Sequence, residues 1–223
     1  MVSSQSQSIK LGTEIPTQYA LGYEDRFHEG FAVHGQIGFL FYPYDKMMLN
    51  LFESSGADRD MVAVLEANFE TGMIIEFGAN YFFSKQTRKN YAGPFCQWVN
   101  LFKSNIPDYV INDAFDVDLN TYPIGPIPKS MSEEPLTLSS HFLQVGLLVG
   151  RRFSFYKKPD IELHVELALS KNVYSNSVLA SDYRYLGGLI DDVNTKLEDF
   201  YKKYALIPSL NIYFIYKLNY QKF

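Results

Sequence analysis

Long apolar runs are missing from this chain of 223 residues. A transmembrane helix needs about 20 consecutive apolar residues. Stretches such as Leu143–Val149 are short and are broken by Gln144 and Gly146, so a helical membrane protein is excluded. Cysteine is nearly absent. The single Cys96 rules out an intrachain disulfide and reads as a small apolar strand residue. Basic charge is also scarce, with 20 Lys and Arg against 25 Asp and Glu and a net charge of −5. Without a basic stripe there is no support for nucleic-acid binding. No glycine-rich phosphate loop, Cys/His metal-ligand spacing or nucleophile elbow occurs. No catalytic residue, cofactor or metal is therefore expected. The start, Met1-Val-Ser-Ser-Gln-Ser-Gln-Ser, has neither the basic nor the apolar region of a signal peptide. Its small residues followed by Gln look like what remains after signal cleavage. Export is the expectation, with residues 1–7 a disordered remnant at the edge of a single domain spanning 1–223.

What the chain does have is aromatic residues, 16 % of the total, with 17 Tyr and 18 Phe but one Trp. Amphipathic rings in that number suit the girdles of a barrel at two membrane–water interfaces. The dominant pattern has period two. From Ile161 to Ser170, Ile161, Leu163, Val165, Leu167 and Leu169 fall on one face and Glu162, His164, Glu166, Ala168 and Ser170 on the other. A strand sorts them completely, whereas a helix scatters them. The same sorting recurs near Tyr19–Phe27, in Phe31–Tyr42, Gly72–Phe83 and Leu143–Phe153, and in the last strand from Leu210 to Tyr220. Tyr91–Lys103 is a further strand whose faces are mixed. These are seven strands. Ser8–Glu14, turning at Ile15-Pro16-Thr17, supplies an eighth and an even count.

The connections alternate in length. His28-Glu29-Gly30, Ser84–Asn90 and Tyr156–Asp160 are short, while Pro43 to about Asn68, Ser104 to about Leu136 and Lys171 to about Ala205 are long. Short turns at one end and long loops at the other are the layout of an outer-membrane barrel. The second loop carries Pro107, Pro123, Pro126, Pro128 and Pro135, which argue against strands there. The third ends in a predicted helix over Asp191–Tyr204, with Val193, Leu197, Tyr201 and Tyr204 on one face. That helix either folds back to cap the barrel mouth or docks a partner. The fold class expected is all-β: a single closed antiparallel transmembrane barrel of about eight strands, with short periplasmic turns and long extracellular loops.

The stretch Ile15-Pro-Thr-Gln-Tyr-Ala-Leu-Gly-Tyr-Glu-Asp-Arg-Phe27, followed by Phe31-Ala-Val-His-Gly-Gln-Ile-Gly38, resembles the opening hairpin of outer-membrane β-barrel proteins of Bacteroidota, especially flavobacteria. Phe77-Gly-Ala-Asn-Tyr-Phe-Phe83, Tyr91-Ala-Gly-Pro-Phe95 and the closing Ile207–Leu218 fit the same pattern. The resemblance spans nearly the whole chain. It implies export, barrel insertion and outer-membrane residence, and no particular activity. One departure is the C-terminus. Such barrels end on an aromatic in phase with the lipid-facing residues, and here Tyr220 is in phase while the terminal Phe223 is not.

With the apolar face turned outward, the other face becomes a polar interior network of Glu24, Arg26, His34, Gln36, Glu76, Gln144, Arg152, Glu162, His164 and Glu166. Glu162, His164 and Glu166, at i, i+2 and i+4, have the donor types of a metal or general-base site. Equally, they suit a satisfied network in which Arg26 and Arg152 pair the buried carboxylates. A lipid hydrolase needs a Ser/His pair facing lipid near the extracellular interface. His164 and Ser170 lie in the interior phase instead, and no matching motif is read. The acidic stretch Glu53–Asp60 has the residue types of a Ca²⁺ site but reads as a solvated loop. Eight strands leave an interior only wide enough for side chains. The expected function is a structural or interaction role in the outer membrane, as a subunit of a larger complex, with a narrow pore, a small-ligand barrel and a lipid-modifying enzyme as alternatives. Its expected partners are outer-membrane lipid, lipopolysaccharide and other outer-membrane proteins.

Overall fold

In the computed structural model the described residues are 6–28, 30–68, 71–83, 89–116, 136–180, 187–204 and 206–218. Eight strands form one closed antiparallel barrel in the order β1 to β8. They are β1 (Ser6–Ile15), β2 (Gln18–His28), β3 (Phe31–Leu40), β4 (Gly72–Phe82), β5 (Asn90–Ile106), β6 (Leu136–Phe155), β7 (Lys158–Ala180) and β8 (Leu206–Leu218). Closure is made by β1 on β8, from Gln7 opposite Leu218 to Ile15 opposite Leu210. The eighth strand read from Ser8–Glu14 is present, and Thr17 N–H donates to the Glu14 carbonyl to close its turn. It begins at Ser6, so Ser6 and Gln7 belong to the sheet and not to a disordered remnant.

The pleat carries the alternation through the register. Leu11, Leu21, Ile37 and Ile75 stand side by side across β1 to β4 and point outward. One residue along, Gln36, Glu76, Gln97, Gln144 and Asn172 form a row across β3 to β7 and point inward. The exterior is apolar: Leu147 is 69 %, Phe77 66 % and Leu167 61 % exposed. A soluble protein of this size does not present such a belt continuously around its waist. The arrangement is that of a transmembrane barrel.

Among the described residues, four helices and the extended β6–β7 hairpin close one end. The helices are α1 (Tyr44–Ser54), α2 (Arg59–Asn68), α3 (Asp108–Phe115) and α4 (Gly187–Lys203). The long segment from Pro43 to Asn68, expected as a loop, is therefore helical. In α1, Tyr44, Met48, Leu49 and Phe52 are buried at i, i+4, i+5 and i+8, the spacing of one helical face. Asp58 caps α2 by accepting the Asp60 N–H at 2.9 Å. Lys171–Ala180, also expected as loop, is strand and pairs with Thr137–Val145. The predicted α4 is present but starts at Gly187, not Asp191.

The β6 strand shows where the environment changes. Below Leu143 its outward residues are apolar (Val145, Leu147, Val149) and Gln144 and Arg152 are buried inside. Above Leu143 the sorting inverts, with Leu136, Leu138 and Phe142 inside and Thr137, Ser139 and His141 outside. There the strand's own outward face turns polar and its inward face joins the apolar core of the cap. Residues 1–5, Glu29, 84–88, the prolines 123, 126, 128 and 135, and Tyr220 and Phe223 lie outside the described residues.

An outward substitution separates a lipid-facing wall from a wetted one. Leu147→Arg should lower the stability of the protein folded in lipid vesicles by about 2–4 kcal/mol in equilibrium unfolding. The same change on a wetted surface moves stability by less than about 0.5 kcal/mol.

Candidate functional site: the barrel interior

The ten residues expected inside all lie on inward faces. Nine are buried, and Arg26 is half-buried near the short-turn end. They do not form one cluster. The Arg152 guanidinium lies 3.8 Å from Glu24 and 3.6 Å from Glu162, and Lys217 reaches Glu162 at 2.7 Å. Arg26 and Arg152 stack over the Phe82 ring, 4.4 and 4.6 Å from its centroid. Three cations and two carboxylates thus gather at the short-turn end, two of the cations against one ring.

Further in, Glu162, His164 and Glu166 are joined as the strand phase requires. His164 Nε2 lies 3.5 Å from Glu162, and its Nδ1 lies 3.2 Å from the Tyr91 hydroxyl, which donates to Glu166 at 2.8 Å. Glu166 also accepts from Asn211 at 3.3 Å and faces Lys10 at 3.7 Å. Lys10 lies over the Tyr213 ring at 4.1 Å. Each carboxylate here already has a cation and a hydrogen-bond donor.

Toward the cap, Glu14 is the hub. Its carboxylate accepts from Tyr213, from Gln36, from Gln18 at 2.6 Å and from Gln97 at 3.1 Å. The Gln97 amide also donates to Glu76 at 2.6 Å, and Glu76 meets His34 Nε2 at 3.1 Å. Gln144 accepts from Ser170 at 3.3 Å. Lys10, Glu14, Gln18, Tyr91 and Gln97 also belong to this interior, beyond the ten expected residues. The even phase of β1, set by outward Ile9 and Leu11, contains Lys10 and Glu14. The mixed face of β5 hid Tyr91 and Gln97, because its inward phase runs from Tyr91 through Gln97 to Val99 and Leu101 as the lumen turns from polar to apolar.

Two glycines make room for the rings that bridge the network. A side-chain carbon at Gly12 would come 2.7 Å from Tyr213 Cδ1, and one at Gly150 would come 2.7 Å from Tyr91 Cε2. Both approaches are too close for any residue with a Cβ.

The network ends below the cap. A cavity of about 30 Å³ sits between the polar interior and the apolar plug, lined by Gln97 and Gln144 on one side and Met48, Phe52 and Tyr201 on the other. It has room for little more than a water molecule. Val193, Leu197 and Tyr201 of α4 are buried in the plug and Tyr204 packs against it. The Tyr204 hydroxyl donates to the Gly56 carbonyl at 2.8 Å, tying the end of α4 to the turn after α1. Lys46 of α1 hydrogen-bonds Glu66 of α2, and that bond raises the Lys46 ammonium above its usual pKa. Among the described residues no group of three or more His, Cys, Asp or Glu is arranged to hold a metal ion. The buried carboxylates brace neighbouring strands across the lumen.

No family model matches the chain, and no curated protein matches it. It is similar in structure to CarO2 of Acinetobacter baumannii, at 11 % identity and a TM-score of 0.40, covering 96 % of this chain and 98 % of that one. It is also similar to CarO of the same organism, at 9 % identity and a TM-score of 0.38, covering 96 % and 97 %. A major outer membrane protein from Thermus thermophilus is similar at 13 % identity and a TM-score of 0.45, covering 96 % and 100 %.

Breaking one side of a buried ion pair strands the other charge. Lys10→Met should destabilise the barrel by about 3–5 kcal/mol, and Lys10→Met with Glu166→Gln should recover most of that loss, since no lone charge then remains. Equilibrium unfolding of the two variants in vesicles reads both numbers.

Proposed function

We propose that this chain is an integral outer-membrane barrel, sealed to solutes, that serves a structural or protein-interaction role by holding a folded cap at the extracellular surface. The observation that carries the reading is the inside-out sorting of the barrel, apolar on the outer wall and hydrogen-bonded within. Closed barrels of this polarity are the strand solution to spanning a membrane, because every backbone amide is paired. Lipid and lipopolysaccharide are the surroundings such a wall fits.

The filled lumen and the apolar plug argue against a pore. Glu14, Glu76, His164 and Glu166 are each under 5 % exposed, and the plug above them is held by α1 and α4. Reconstituted protein in a planar bilayer should show no discrete conductance steps, and steady single-channel openings would contradict the sealed interior.

The orientation is tested on cells. In a Cys96→Ser background, Ser55→Cys in the cap should react with a membrane-impermeant maleimide on intact cells. Lys157→Cys, in the β6–β7 turn, should react only after the outer membrane is permeabilised. The reverse pattern would place the cap in the periplasm and remove it as a surface for extracellular partners.

A further inference from the structure

We infer that the outer wall carries an acyl-ester hydrolase site built on Ser139 and His141 of β6, acting on a membrane lipid. This rests on the membrane reading above and goes beyond it. The two residues stand at i and i+2 on the outward face, and Ser139 Oγ lies 3.1 Å from His141 Nε2. With the imidazole proton on Nδ1, Nε2 accepts the hydroxyl hydrogen. That is the separation at which a histidine activates a serine nucleophile. The strand neighbours supply the rest. His141 is directly opposite Asn100 on β5 and Asn176 on β7, and both asparagines are on the outward phase. Directly opposed residues have Cβ atoms about 5 Å apart, so the imidazole is flanked by a carboxamide on each side. Either carboxamide oxygen is within reach to take Nδ1–H and fix the tautomer. The N–H of the other carboxamide would then be the donor to the oxyanion that forms beside Ser139.

Depth defines the substrate class. The pair lies immediately above Leu143, where β6 leaves the apolar belt. Trp98, stacked on His141 at 6.3 Å between centroids, and Phe102, opposite Ser139, are exposed aromatics at this level. A lipid beside this wall has its acyl chains against Val145 and Leu147 and its ester carbonyls near Ser139. Ser139 Oγ attacks the carbonyl carbon as His141 Nε2 takes its proton. The carbon–alkoxy bond then breaks, the alkoxide leaves with the proton from His141, and the acyl group stays on Ser139. Water from the cap side attacks that ester, again giving its proton to His141. Fatty acid is released and Ser139 is restored. The same chemistry serves an ester of a glycerophospholipid or of lipopolysaccharide.

The test uses the full chain in detergent micelles, with a fluorophosphonate as probe of the nucleophile. Separate micelles of phosphatidylethanolamine and of lipopolysaccharide are then assayed for released fatty acid by mass spectrometry. The expected result is a covalent adduct on the peptide holding Ser139, at least about 100-fold slower in His141→Ala, with folding verified by circular dichroism. Fatty acid should be released from at least one lipid, and which one identifies the source of the ester. Asn100→Ala and Asn176→Ala should lower kcat with KM unchanged, and Asp at the position that holds Nδ1 should restore part of the loss. An adduct as fast in His141→Ala as in the parent, no adduct in the folded parent, or release from neither lipid overturns the site. Recovery of the protein without detergent would instead overturn the membrane reading beneath it.

Discussion

A strand in lipid has no water for its amides, so the pairing of β1 with β8 is the constraint on which the rest depends. Closing eight strands removes every sheet edge, and it also fixes a narrow bore. The bore must then be filled from the inward phase of each strand. Strict alternation sets which residues face inward, and the rows through Glu14, Glu76 and Glu166 fill the bore with polar side chains. The interior becomes a polar core in which charges must find partners. Glu14 under four donors, Glu166 against Lys10, and Arg152 between Glu24 and Glu162 are the local solutions.

Buried ion pairs stabilise little in themselves and punish their own disruption. Their contribution here is to register. A slip of one residue on any strand would put Glu76 or Glu166 into lipid and Ile75 or Leu167 into the lumen. Above Leu143 the constraint lapses. Along β6 the sorting reverses, and a hydrophobic core forms among α1, α4 and the β6–β7 hairpin. One chain thus carries two folding regimes, joined across a small cavity. The boundary between them is also where lipid ester groups meet protein, which is why the Ser139–His141 pair there has a chemical reading that an interior His/Glu cluster lacks.

The membrane half of the fold is legible in the sequence because its signal is strict: Ile161–Ser170 alternates without exception, and the interior residues from Glu24 to Glu166 follow from it. The cap is less legible. Tyr44, Met48 and Phe52 have helical spacing, but the general rule of long extracellular loops masks the helices in Pro43–Asn68. Lys171–Ala180 and Leu136–Phe142 do not read as strand because the alternation inverts across the boundary and a doubled residue at Val173 and Tyr174 shifts the phase. For the same reason Ser139 and His141, on the outward face just beyond the inversion, are hidden in the pattern. The unbroken alternation around His164 points instead to a histidine that is fully buried.

The most direct test of the central claim, a closed barrel with lipid on its outer wall, is heat-modifiability of the detergent-extracted protein on an SDS gel. The account predicts that the unboiled protein migrates differently from the boiled one, because the closed sheet resists SDS until heated, and that it is recovered from the membrane fraction. A single mobility in both lanes together with recovery in the soluble fraction would contradict it, and would mean that the exposed apolar belt is covered by something other than lipid.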